Sequence, residues 1–123
     1  MEVNGITEKI IGCAIKVHKK HGPGLLESIY ESAMLIELQR SELYTEKQKK
    51  LVVRYEGIEI GEHRLDLLVE KTVVIELKSV ERFDPVFQAQ LLSYLGLGGY
   101  RVGLLINFNS RMLKQGIKRM TIQ

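Results

Sequence analysis

The sequence predicts an α/β (α+β) domain, a mixed β-sheet flanked by helices in the order α-α-β-β-β-α-β-β. Three observations carry the prediction. Apolar residues recur at helical spacing up to Arg40 and again from Pro85 to Leu97; the period shifts to strand-like alternation from Lys50 to Val80; and breaks bearing glycine or proline separate the runs.

Residues 6 to 20 set Ile6, Ile10, Ala14 and Val17 on one stripe, with Lys9, Lys16, Lys19 and Lys20 largely elsewhere, as an amphipathic helix requires. "HGPG" at 21 to 24 stops that helix. Pro23 and its glycines can start a second one, running to about Arg40 with Leu26, Ile29, Ala33 and Ile36 or Glu37 in register. The two helices are expected to pack together. "LVVRYEGIEIG" is rich in β-branched and aromatic residues, turns at Glu56-Gly57, and leads into "HRLDLLVEKTVVIELKSV" at 63 to 80 as a β-meander. Asp84 is placed as the N-cap ahead of Pro85, and the next helix has Val86, Ala89 or Gln90, Leu92 and Leu97 in register until Gly96, Gly98 and Gly99 end it. "YRVGLLINF" is the most apolar strand candidate, expected to be central and covered on both faces. "SRMLKQGIKRMTIQ" reads as a short turn or helix near 110 to 115 and a strand from Ile117.

With 123 residues the chain is expected to form one domain, 1–123, since that length buries about two-thirds of the unfolded surface without disulfide or structural metal. The single Cys13 can make no internal disulfide and has no metal-ligand spacing around it, which fits a reducing compartment. Glu2 and Glu8 interrupt the N-terminus and no long apolar run follows, so neither a secretory leader nor a membrane span is read, and a cytoplasmic location is expected. A net charge of +3 is too small by itself to argue for a polyanion partner. Its distribution says more. Tyr100 to Gln123 contains Arg101, Arg111, Lys114, Lys118 and Arg119 and no acid, and "KQKK" at 47 to 50 is a second basic cluster; each reads either as a solvated face or as a phosphate-contacting surface.

Two motifs are set aside. "GLGGYRVG" closes a helix and opens a strand, the reverse of a dinucleotide loop, and reads as a helix C-cap. His18 and His21 lack a third ligand and read as solvated surface groups rather than a metal pair.

The hairpin at 63 to 80 holds the chemistry. With the turn at Glu70-Lys71-Thr72, Val69 pairs with Val73, Leu67 with Ile75 and Leu65 with Leu77; on the other side Asp66 faces Glu76 and Arg64 faces Lys78. Opposed Cβ atoms lie roughly 4.5 to 5.5 Å apart, where like charges destabilise. A divalent cation shared by the two carboxylates resolves the repulsion, and oxygen-only ligands favour Mg²⁺ or Mn²⁺ over zinc. Lys78, two residues past Glu76, would reach a water or a phosphate, with Arg64 beside it. A surface hairpin whose charges meet only solvent is the alternative. Gln90 and Tyr94 share a face of the following helix, and Glu27 and Tyr30 lie just after the "GPG" break, where a carboxylate at a helix start is also favourable for stability alone.

These motifs together resemble a known family. "GLLESIY", Gly24 through Glu27 to Tyr30, resembles the signature of the GxxExxY protein family, a branch of the PD-(D/E)XK nuclease-like superfamily; Asp66, Glu76-Leu77-Lys78, Gln90 and Tyr94 follow that superfamily's D…E-x-K…Q-x-x-x-Y pattern in order. "AQLLSYL" and "GLLINF" are also similar to family stretches, so the likeness spans about 20 to 120. The resemblance implies a restriction-endonuclease-like core with a metal site at one end of the sheet. It further implies Asp66 and Glu76 as ligands of Mg²⁺ (or Mn²⁺), Glu27 as a further carboxylate, Lys78 as the residue that orients or activates water, and Gln90 and Tyr94 as supports near the substrate backbone. Arg64 and Tyr30 are the expected nucleic-acid contacts.

The function expected is therefore a Mg²⁺-dependent nuclease, with DNA ahead of RNA as substrate and a homodimer as an expected assembly for spanning a duplex. A binding module for nucleic acid or a protein partner, built on the same fold with little hydrolysis, is the rival. A carboxylate-pair glycosidase is set aside, because with no Trp and 7% aromatic residues the chain lacks the stacking surfaces that sugars need.

Overall fold

The computed structural model describes all residues, Met1 to Gln123. Helices α1 (Val3–His21) and α2 (Glu27–Arg40) precede strands β1 (Thr45–Tyr55), β2 (Ile58–Val69) and β3 (Val73–Lys78); helix α3 (Pro85–Gly98), strand β4 (Val102–Asn107), a 3₁₀ turn (Leu113–Gly116) and strand β5 (Ile117–Thr121) follow. The predicted order is the observed one. The five strands lie side by side in sequence order, every neighbouring pair antiparallel except the parallel pair β3–β4, so the sheet is mixed as expected.

α1 and α2 cover one face, and α3 covers the other. Ile6, Ile10, Ala14 and Val17 are all buried, as the stripe in α1 predicts, against Leu67, Val69, Ile75, Leu104 and Ile106 of the sheet. All six residues of β4 are buried, which follows from its place between β3 and β5 under helices on both sides. Asp84 caps α3 by accepting the Val86 N–H at 2.9 Å, and Gly99, in the left-handed region at φ 76°, closes it with a bond to the Leu95 carbonyl. "GLGGYRVG" is thus the C-cap that its context indicates.

The buried faces of α2 and α3 differ from the expected ones. In α2 the core takes Tyr30, Met34 and Leu38, leaving Leu26 70% and Ile36 50% exposed. Apolar residues encircle this helix, so spacing alone leaves its rotation open; the stacking of Tyr30 on Phe108, ring centroids 4.4 Å apart, settles it. In α3 the core takes Leu91 and Leu95, while Val86, Leu92 and Leu97 are exposed. Both helices carry a second apolar side that the sheet does not use.

β1 also starts earlier than Lys50, at Thr45, which draws "KQKK" into an edge strand. Lys49 pairs with Glu46 and Lys50 with Glu62 there. The acid-free C-terminal segment includes β5, on the opposite edge of the sheet, so the two basic clusters form no common surface. β1 and β2 are much longer than β3, and their ribbon continues past the last β2–β3 partners, Leu67 and Ile75, to the Glu56-Gly57 turn. Both turn residues have positive φ, 52° and 77°, the geometry of a two-residue hairpin. No helix is long and apolar enough to cross a membrane.

Candidate active site

The predicted register of the β2–β3 hairpin holds at Val69–Val73, Leu68–Val74 and Leu67–Ile75, then stops. At that point the β1–β2 ladder also skips one pair, Gln48 opposite Asp66, with Gln48 in the left-handed region at φ 51°. The break turns β2. Leu65 packs on the α3 side with Leu68, whereas Leu67 and Val69 face α1 and α2, so the expected pairs Leu65–Leu77, Asp66–Glu76 and Arg64–Lys78 do not form as ladder partners. Strict alternation fails because a left-handed residue in one strand shifts the facing of its neighbour.

Asp66 sits at this break. Its Oδ2 accepts the backbone N–H of Leu77 at 2.8 Å, taking the place of the ladder bond that β2 no longer supplies. The side chain is thereby fixed beside Glu76 by a route different from the one expected, and the two carboxyl groups still meet. Burial, then the Asp66 charge and a hydrogen bond to the Asp66 carboxyl, push the Glu76 carboxyl up to about 9, with Lys78 opposing. Glu76 is 7% exposed. Even with the Lys78 charge nearby, burial and Asp66 keep the Glu76 carboxyl protonated at neutral pH.

Glu76, Lys78, Gln90 and Tyr94 line one small cavity of about 30 Å³ on the α3 face, together with His63, Phe87, Leu91 and Leu105. A larger cavity, of about 380 Å³ between α1 and α2, lies away from these groups; chemistry rather than size marks the site. Lys78 Nζ rests 4.4 Å from the Phe87 ring centroid, a cation–π contact that holds the ammonium over the pocket. The Tyr94 hydroxyl is pushed up by burial and by the charges of Glu76 and Asp66, so it stays a proton donor.

Three residues that motif spacing does not mark are part of this arrangement. His63 stacks on Tyr94 at 3.8 Å between ring centroids and sets Nε2 3.3 Å from Glu76 Oε1. Burial first, and Lys78 as well, lower its pKa against the pull of Asp66, which keeps the ring neutral. Glu31 is raised by burial first and also by Asp66, and accepts the Gln48 amide at 2.7 Å; its position one turn after Glu27 was the available signal. Asn107, 4% exposed, accepts the N–H groups of Val80 and Asn109 and donates to the Val80 carbonyl, fixing the chain as it leaves Lys78.

Glu27 reaches the site from the other side. As the first residue of α2 it accepts the N–H of Ser79 at 3.3 Å, directly after Lys78, while Ser79 Oγ donates to the Leu25 carbonyl. Tyr30 corrects the expectation of a nucleic-acid contact. It is fully buried, its hydroxyl donates to the Gly22 carbonyl and accepts the Leu25 N–H, and it therefore shapes the Gly22–Leu25 loop from beneath. Arg64 does not join the cavity either: it is exposed on the ribbon, on the Glu62 carboxylate at 3.4 Å and the Gln48 carbonyl. His18, expected to be solvated, has its Nε2 2.7 Å from the Ser110 carbonyl oxygen.

A family model for the PD-(D/E)XK nuclease superfamily matches residues 4–120. The chain belongs to that superfamily. No curated protein and no solved structure matches it. A mixed sheet with helices on both faces is consistent with the restriction-endonuclease-like fold of PD-(D/E)XK proteins; membership suggests a nuclease-like function, and PD-(D/E)XK nucleases generally use divalent metal ions. The residues present fit such an ion: Asp66 and Glu76 offer hard oxygen donors whose mutual repulsion a cation would relieve. No cluster of three or more His, Cys, Asp or Glu side chains is poised around a metal, so the protein would supply two carboxylates and leave the other positions to water and substrate oxygen, a common pattern for Mg²⁺.

Proposed function

We propose that this chain is a metal-dependent phosphodiesterase of the GxxExxY branch, acting on nucleic acid, with residues 1–123 as one catalytic domain and DNA as the preferred polymer. The observation that carries the reading is the buried Glu76 carboxyl, grouped in one cavity with Lys78, Gln90 and Tyr94 and pushed up by burial and by Asp66. Asp66 and Glu76 would hold Mg²⁺ or Mn²⁺. Such an ion supplies Lewis-acid stabilisation of the charge that develops on a phosphodiester.

The side chains of the protein do the rest. The Lys78 ammonium, held over Phe87, donates to the attacking water or to a phosphate oxygen. Gln90, exposed at the mouth, offers an amide that both donates and accepts, and the Tyr94 hydroxyl donates toward the phosphate. Glu27 positions the strand exit through Ser79, and Arg64, exposed on the ribbon flank, would exchange its Glu62 partner for a phosphate.

The test is cleavage of labelled DNA and RNA, single and double stranded, with Mg²⁺, Mn²⁺ or chelator. Cutting that needs the ion and disappears in Glu76→Gln and Lys78→Ala bears the reading out. Nucleic-acid binding without any cutting, and without Mn²⁺ binding by calorimetry, returns the chain to a binding module.

A further inference from the structure

The chemistry above leaves one group of cations unused. Lys19, Arg111 and Lys114 rim a cavity of about 290 Å³ walled by Ile15, Met112 and Leu113. All three cations are exposed and none takes part in an ion pair. No acid lines the cavity, and none occurs from Tyr100 to the last residue.

Exposed cations are usually a solvated face. Position and rigidity distinguish these. β3 and β4 run parallel with Lys78 opposite Asn107, so the chain leaves both strands at the same end of the sheet. Phe108 N–H donates to the Lys78 carbonyl at 2.9 Å, and the Asn107 side chain ties Val80, just past Lys78, to Asn109. His18, in the last turn of α1, then holds the Ser110 carbonyl. Gly116 packs against the same loop so closely that a Cβ there would lie 2.6 Å from the Asn107 carbonyl oxygen and would strike Ser110. The loop that presents Arg111 is braced by α1, by the 3₁₀ turn and by the strand exits, and it stands at the end of the sheet where Lys78 emerges.

We propose that the Lys19–Arg111–Lys114 rim binds backbone phosphates of the nucleic-acid substrate, gripping the strand away from the point of cleavage. The proposal rests on the nuclease reading of the Asp66–Glu76–Lys78 site. Unpaired cations on a fixed frame fit phosphates, which supply affinity and register without reading sequence. An acidic protein surface would meet the same charges, but the shared end with Lys78 favours the polymer that the site itself would act on.

The test is fluorescence anisotropy with a labelled DNA duplex, Ca²⁺ replacing Mg²⁺ to prevent cutting, across a salt series. In the variant carrying Lys19→Glu, Arg111→Glu and Lys114→Glu, affinity at low salt is expected to fall at least tenfold, and the slope of log affinity against log salt to flatten by about 0.9 for each phosphate no longer neutralised. Mn²⁺ binding by calorimetry and the melting temperature stay as in the wild type, because the three side chains are exposed and away from Asp66 and Glu76. Lys9→Glu, on the other half of α1, serves as the control with little loss. A wild type that binds duplex and a triple variant that binds it equally, with the same slope, overturn this proposal and leave the hydrolytic reading intact. A wild type that binds no nucleic acid overturns both.

Discussion

The Asp66 carboxylate accepts the Leu77 N–H at 2.8 Å, so a side chain proposed as a metal ligand also completes the backbone bonding of β3. The two roles separate under substitution. Asp66→Asn keeps an oxygen for Leu77 and loses only charge, so its melting temperature should stay near the wild type while metal affinity falls more than tenfold. Asp66→Ala orphans the amide as well and should cost about 1–3 kcal/mol in urea denaturation.

The raised Glu76 predicts a pH profile for the metal-free protein. Its folded pKa, about 9, lies above its ordinary 4.5, so the neutral form is the one that folding favours. The stabilisation is complete below about pH 4.5 and is lost as pH rises toward 9, with a slope approaching about 1.4 kcal/mol per unit between those limits. Denaturant titrations from pH 5 to 9 in chelator should show this decline, and Glu76→Gln should remove that part of it. Added Mg²⁺ or Mn²⁺ should restore stability at pH 8 in the wild type and not in Glu76→Gln.

Tyr30→Phe deletes a hydroxyl engaged by the Gly22 carbonyl and the Leu25 N–H in a fully buried place. A loss of about 1–3 kcal/mol is expected in urea denaturation, with duplex affinity unchanged. Weakened nucleic-acid binding with unchanged stability would reverse the structural assignment of this tyrosine.

Asn107→Leu removes the acceptor of two main-chain N–H groups and the donor to a carbonyl inside the fold. About 2–4 kcal/mol should be lost, seen as a lower denaturation midpoint, since unmet buried polar groups are costly. Because these bonds hold the exit from Lys78, cleavage should fall further than in Ile10→Ala, a comparable destabilisation in the α1 core away from the cavity.

Much of the fold was legible because single residues decided it locally. Asp84 before Pro85 fixed the start of α3, and the Glu70-Lys71-Thr72 break fixed the register of Val69 on Val73. The misreadings share a cause in tertiary context. Leu26, Ile29 and Ile36 look like a core stripe until Phe108, remote in sequence, draws Tyr30 inward instead. Leu65 changes sides because of Gln48, whose left-handed backbone in the neighbouring strand no period records. Motif order led to Asp66, Glu76, Lys78, Gln90 and Tyr94; His63 escaped because its partner Tyr94 lies far along the chain and only packing brings the rings together.

The β1–β2 ribbon continues past the end of β3 and stands beside the cavity, with His63 at its root. For a strand drawn to Lys78, that overhang stands on the β2 side and the loop bearing Arg111 on the β4 side, so the two flanks differ. Access so lopsided would give the chain a sense of direction, with the two antiparallel halves of a duplex presenting themselves to it as different objects.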